Sequence, residues 1–430
     1  MDFTISTTSL GEYDVIVAGG GIAGCFAAAS AAREGAKVLL VEAAGCLGGT
    51  LTSASVPSIM DEKGKGGMLG ELFGFLNERG MTVARFGKKT DETGKKIPGR
   101  IVDLEGCKIF LEQLVLSSGA EILYYSRISG CDHRSVNGAT HIDQVLICTE
   151  AGNYSASAKY FIDATGNGNM ACLCGCDYEC GDPDTGKISP ASTGFTVVGF
   201  AEEYDGTDGA EQKRDYSNML LDHGIAITAE EAGIVRLPAM KQWDVSIDYQ
   251  YDVMPNDIRS MTSATINSRK EIFDAMEAHK TIPGYEEIWL THTGEHLGLR
   301  EGRRIFGKYR ISLEDIVEGR HFEDGICLVR SRVDLHKTHT TDSLDSDRGI
   351  KSKPYEIPYR SLLPNNTDNL LLAGRCLSGD FLPHASYRMM GNMGATGEAA
   401  GFAAVYALKH NVSLEDVSPA LLRKRMEEYL

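Results

Sequence analysis

The chain has 430 residues, 42% of them hydrophobic and 24% charged, with 48 glycines, 11 cysteines and a formal net charge of −17. One hydrophobic core stops growing well before this length, so two domains are expected, and the balance excludes a fibrous or disordered protein. The acidic excess argues against nucleic acid or anionic lipid as partner, because both are held by clustered Lys and Arg, and it points to a small-molecule substrate.

The first ten residues lack the basic and apolar regions of a signal peptide, and no stretch is apolar for long enough to span a bilayer. A cytoplasmic protein with reduced thiols is expected, since the cysteines are odd in number and scattered. Glycine stands well above the usual ~7%, an excess that predicts tight turns and close backbone approach to a ligand.

After a tail over residues 1–12, residues 13–18 form a short apolar run ending at Gly19, residues 23–34 are Ala-rich and stopped by Gly35, and residues 37–42 are apolar again. This predicts one strand–helix–strand unit. The turn reads Gly19-Gly20-Gly21-Ile22-Ala23-Gly24, which fits G-x-G-x-x-G. In that pattern Gly19 makes the turn, Gly21 admits a pyrophosphate, Gly24 lets helix approach strand, and the helix N-terminus favours the negative charge. Glu42 closes the second strand, where its carboxylate can accept from the ribose hydroxyls and would repel a 2′-phosphate.

Helical spacing recurs at residues 66–79 and 104–117, and strand patterns at 121–126, 144–149 and 160–164. After residue 181 the texture turns to acidic loops and polar helices. Another strand follows at 369–373, ending in Gly374-Arg375, and then a small-residue helix over 391–408. The predicted fold class is α/β: a discontinuous Rossmann-type domain over 13–180 and 355–430, with an inserted α+β substrate domain over 181–354.

The first unit alone would serve FAD or NAD. The choice of FAD rests on Ala43 and the loop Gly45-Cys46-Leu47-Gly48-Gly49-Thr50 directly after Glu42, on the small-residue turns Ala164-Thr165-Gly166 and Gly374-Arg375, and on the helix bearing Gly391, Gly394, Ala395, Gly397 and Gly401. An NAD dehydrogenase, one of the alternatives, would continue with a further helix–strand pair. If the late helix aims its N-terminus at the flavin, its dipole would stabilise an anionic reduced ring. The other reading of that helix is close packing against a neighbour.

In these segments, most closely at 13–50, 161–175, 297–305 and 355–404, the chain resembles the FAD-dependent oxidoreductase family with a glutathione-reductase-type flavin fold, on the branch near fumarate reductase and succinate dehydrogenase flavoproteins. The resemblance implies FAD bound across the terminal segments. Two departures narrow it. Leu51 and Val56 stand where disulfide reductases of this fold carry redox cysteines, and no second G-x-G-x-x-G builds a separate NAD(P)H domain. The electron partner is therefore left open between a protein, a diffusible acceptor and oxygen.

The segment His384-Ala-Ser-Tyr-Arg388 is similar to the region where fumarate reductases place a substrate-binding arginine, although the usual His-Gly-x-Asn-Arg wording is absent. Arg388 is expected as anion clamp, Arg300 as a second cation at the site, His384 as acid/base and His336 as a minor acid/base candidate. Tyr355, Tyr359 and Arg360 are candidates to line the cavity, against a packing role. Cys172, Cys174, Cys176 and Cys180 lack paired C-x-x-C spacing and read as small buried thiols, and Asp334, His336, His339 and Asp342 are weak metal candidates, so no metal is assigned. The expected function is hydride transfer between a small anionic organic molecule and FAD; a flavin-containing RNA-modifying or scaffold protein is the alternative, disfavoured by the charge.

Overall fold

The computed structural model describes residues 4–90, 96–200, 209–238, 241–338 and 348–430. Its main sheet has seven strands. Five run parallel in the order Glu121–Leu123, Val38–Val41, Thr8–Ala18, Gly152–Asp163 and Leu370–Leu372. The middle strands read as unbroken apolar runs because both faces are buried, leaving no solvent side to alternate towards. Val15 to Val17, Leu39, Leu40 and Leu370 to Leu372 are all fully buried.

The first strand begins at Thr8, inside the expected tail, and carries a register shift between Ser9 and Glu12 where it pairs with Gly152–Asp163. The strands Ser126–Val136 and Ala139–Thr149 fold with Gly152–Asp163 into an antiparallel meander that extends the same sheet. This meander is much longer than the strand signals at 121–126, 144–149 and 160–164, because its outer residues are half-exposed and the apolar alternation there is weak.

The helix Ile22–Arg33 is buried along its whole length up to Ala32. It packs on the sheet beside the long helix Met390–His410, which also touches the sheet, and the two helices meet backbone to backbone. A Cβ added at Gly397 would sit 2.0 Å from the carbonyl oxygen of Ala23, and one at Gly401 2.2 Å from that of Ala27. Any side chain at either place would push the helices apart and open the core. The glycine stripe of the late helix therefore serves close packing along most of its length.

A second sheet is antiparallel, in the order Gly233–Arg236, Gln242–Ser246, Phe195–Val198 and Trp289–Thr293. With the helix Ile258–His279 it encloses its own core around Phe195, Phe200, Tyr216 and Trp243. The larger core joins the two ends of the chain, from Tyr13 to Cys176 and from Ile305 to Tyr429. Ile305, Ile311, Ile326 and Val329, inside the stretch expected to form the substrate domain, pack in this larger core. No helix among the described residues is long and apolar enough to cross a membrane.

Candidate active site

The end of the first strand and the start of the first helix form the glycine turn. Gly19 has φ +96°, a conformation that side chains disfavour, and a Cβ on Gly24 would lie 1.8 Å from the carbonyl oxygen of Gly19. At Gly21 the added Cβ would meet nothing within 4 Å, so this backbone faces open space. Gly21 is also the N-cap of the helix and supplies no side-chain cap, which leaves first-turn N–H groups available to an anion.

The loop after the second strand is tied to this turn. Gly48 N donates to Gly20 O at 2.8 Å, and Glu42 accepts from Gly20 N at 2.5 Å and from Ala44 N at 2.7 Å. The Ala164-Thr165-Gly166 turn is held by buried Asp163, which accepts from the backbone N of Thr165 at 2.9 Å, from the Thr165 hydroxyl at 2.7 Å and from Ala171 N at 2.8 Å. Burial pushes the Asp163 carboxyl up and these donors pull it back.

Both turns border one cleft of about 1150 Å³. Gly19, Gly21, Ile22, Ala23, Glu42, Ala43, Gly48, Gly49, Thr50, Ala164, Thr165, Gly166, Gly374 and Arg375 line it, all expected from the sequence. Ser126, Arg127 and Ile128 from the meander line it as well and were not foreseen. The volume exceeds the ~300–1,000 Å³ of an ordinary ligand pocket, leaving room for a dinucleotide and a second molecule.

At the other end of the cleft Arg300, His336 and Arg388 come together from distant parts of the chain. Arg388 donates to Asp334 O at 2.8 Å and lies 3.6 Å from its carboxylate. Arg300 donates to Pro190 O at 2.7 Å and stacks over the Tyr249 ring at 4.7 Å. His336 Nδ1 is 2.8 Å from the Tyr249 hydroxyl, and its Nε2 is 3.6 Å from Asp334. Tyr249 is a new member of this group and carries no motif in the sequence, while Asp334, a weak metal candidate there, stands here as the partner of Arg388 and His336.

The profile of the family described as FAD dependent oxidoreductase matches residues 14–426. The chain belongs to that family. It is an FAD-dependent oxidoreductase, and FAD is its cofactor; the match does not extend to the fumarate reductase branch. Digeranylgeranylglycerophospholipid reductase of Methanococcus aeolicus aligns at 30% identity over 164 residues, which is 36% of this chain and only 38% of that relative's length. p-Nitrophenol 4-monooxygenase of Pseudomonas putida DLL-E4 has a similar fold, with TM-score 0.51 at 12% identity over 96% of this chain and 88% of that one. A geranylgeranyl bacteriochlorophyll reductase-like protein of Thermoplasma acidophilum superposes with TM-score 0.48 at 16% identity, over 98% and 83% of the two chains.

The residues of the oxidoreductase fit FAD. The uncapped helix start and open Gly21 suit a diphosphate, and Glu42 lines the cleft beside that turn, so its carboxylate fits a ribose. Ser55, which lines the cleft, has a buried hydroxyl with no hydrogen-bond partner among the described residues, a group that a bound cofactor would satisfy. Met389, Met390 and Met393, at the start of the late helix, also line the cleft.

Five expected residues have a different place. His384 is buried outside the cleft lining, in the helix Phe381–Tyr387, with Nε2 3.2 Å from Arg375 O. Burial, and next the charges of Arg304, Arg388 and Arg375, hold its ring well below the usual histidine range. It supports the Arg375 backbone in neutral form and is not placed to exchange protons in the cleft. Gly391, Gly394 and Ala395 are buried behind the methionines: a Cβ on Gly391 would meet Asp61 O at 2.5 Å and one on Gly394 the Phe26 ring at 2.9 Å. Gly24, for its part, is packed under the turn without lining the cleft.

Tyr355, Tyr359 and Arg360 bond to Ser386, Leu414 and Asp324 respectively, and none lines the cleft. Of the cysteines, Cys172 reaches the cleft, the free thiols of Cys174 and Cys131 share a hydrogen bond, and Cys176 lies 3.3 Å from the Thr367 hydroxyl. Burial pushes Cys176 and Cys180 up to about 11, so both are neutral thiols. No group of His, Cys, Asp or Glu among the described residues is arranged to hold a metal ion, and His339 and Asp342 lie outside those residues.

Proposed function

We propose that this oxidoreductase moves a hydride between FAD and a small anionic organic substrate held by Arg300 and Arg388. One observation carries the reading: Arg300 lines the cleft with no ion pair among the described residues, its partners being a carbonyl and a phenol ring. Arg388 adds a second guanidinium whose pKa burial pushes down, while neighbouring Asp334 stays ionised. An excess of half-buried positive charge is costly unless an anion joins it, and a guanidinium fork suits carboxylate geometry.

FAD when bound supplies a ring that takes or gives two electrons as hydride. The chain's own residues orient the substrate, exclude water and carry the proton. The test is an anaerobic panel of small carboxylic acids, alcohols and unsaturated acids mixed with the purified holoenzyme and followed by flavin absorbance. At least one acid should bleach the oxidised flavin, or reoxidise it after dithionite, and Arg300→Ala should raise the concentration needed at least ~10-fold. A panel in which only uncharged compounds react would overturn the anionic substrate.

A further inference from the structure

We infer that Tyr249 is the residue that exchanges a proton with the substrate, with His336 and Asp334 behind it as a relay. The inference rests on the hydride-transfer reading above and goes further by assigning the proton's route. Tyr249, His336, Asp334, Arg300 and Arg388 all line the same end of the cleft. No sequence motif marks Tyr249, and His336 alone is not placed to do the work.

The geometry separates the two roles. Both ring nitrogens of His336 face protein groups, Nδ1 the Tyr249 hydroxyl at 2.8 Å and Nε2 the Asp334 carboxylate at 3.6 Å. A carboxylate beside Nε2 favours the tautomer with its hydrogen there, which leaves Nδ1 bare to accept from the phenol. The phenol oxygen keeps a further lone pair for a substrate atom. The route from His336 to the substrate thus runs through Tyr249.

The phenol is held rigidly. Tyr249 N donates to the Thr228 hydroxyl at 2.7 Å, and the next residue, Gln250, pairs with Ala191 through both backbone bonds. The charged and titratable groups around it are Arg300, stacked on its ring, with Glu230, Asp334, Asp248, His336 and Arg388, and the Tyr251 ring lies at 6.3 Å. Burial raises the phenol's pKa, which Arg300 partly offsets, so at rest Tyr249 is protonated and cannot act as a base unaided. Burial followed by the Arg300 charge pushes His336 down to about 4, so at neutral pH its ring is neutral and able to take that proton.

In the oxidative direction bound FAD would supply the acceptor for a hydride, and the substrate must lose a proton as well. A proton from the substrate's hydroxyl, amine or adjacent carbon passes to the Tyr249 oxygen as the phenol's own proton passes to His336 Nδ1. The resulting imidazolium faces ionised Asp334. Reduction runs the same transfers backwards, the imidazolium returning its proton through the phenol, so protons and electrons balance in both directions.

Two measurements test this. In holoenzyme with 15N-labelled histidine, assigned through His336→Gln, nitrogen shifts should show Nε2 protonated and Nδ1 bare; a hydrogen on Nδ1 would overturn the relay whether or not any substrate is found. With the acid that bleaches the flavin fastest, Tyr249→Phe should keep its FAD and lower the bleaching rate by ~10²–10⁴-fold, with the half-saturating acid concentration changed less than ~3-fold. His336→Gln should lower the rate less and lose the acid limb near pH 4 of the wild-type profile. A Tyr249→Phe protein that bleaches at the wild-type rate would remove Tyr249, and a panel with no reactive acid would count against the substrate reading alone.

Discussion

The two ends of the cleft are built on different principles. The cofactor end is made by backbone: the Gly19 to Gly24 turn, the Gly48-Gly49 loop and the Ala164-Thr165-Gly166 turn present N–H groups and small surfaces at strand ends. The other end is made by side chains, with Tyr249, Arg300, Asp334, His336 and Arg388 carried on separate segments. A backbone site requires absent side chains and tolerates almost no substitution. A side-chain site tolerates substitution structurally but loses its chemistry.

The sharpest break of this contrast is Gly24→Val. With even a Cβ only 1.8 Å from Gly19 O, strand and helix must separate, and the protein is expected to purify without flavin or to aggregate; visible absorbance and circular dichroism read the outcome. A yellow, stable variant would show that the turn does not bind the diphosphate.

Arg388→Ala is the matching change at the side-chain end. It should keep the yellow colour and lower turnover by ~10²-fold or more, as expected when a charge-assisted contact to the reacting molecule is lost. Unchanged turnover would take Arg388 out of the site.

A smaller effect belongs to pH. Burial and Arg300 hold His336 at about 4, below its ordinary 6.5. As pH falls the unfolded chain takes up this proton first. The stability contributed by the neutral ring is therefore complete above about pH 6.5 and is lost as pH falls to about 4. The loss is on the order of 2–3 kcal/mol, and His336→Gln should flatten the urea midpoint across that window. An equally steep fall in the variant would assign the acid sensitivity elsewhere, buried His384 being the first alternative.

The smallest expected effect is at Glu42. Glu42→Gln keeps the shape but removes the charge behind two backbone hydrogen bonds and behind the proposed ribose contact, so FAD should bind about tenfold more weakly, or ~1.4 kcal/mol. Fluorescence titration of apoprotein with FAD measures it, and an unchanged Kd would place the ribose elsewhere.

Much of the fold was legible because its signals are local. The expected helix over 104–117 is observed as Leu104–Ser117, and the first helix, expected over 23–34, as Ile22–Arg33. Parallel strands buried on both faces give unbroken apolar runs that stand out against their surroundings. The meander did not stand out, and Ser126 to Ile128, which line the cofactor end from it, were missed with it. His384 misled because a histidine near an arginine reads as chemistry, whereas the helix Phe381–Tyr387 turns its ring into the core.

What the sequence determined by itself was the family, the cofactor and the phosphate turn, since each depends on glycines and small residues a few positions apart and a chain this short-ranged has few ways to arrange them. The tertiary structure decided which polar side chains gather on the cleft wall. Tyr249 and His336 are 87 residues apart, and only the packing of their segments against one another brings a phenol, an imidazole, a carboxylate and two guanidinium groups to one wall.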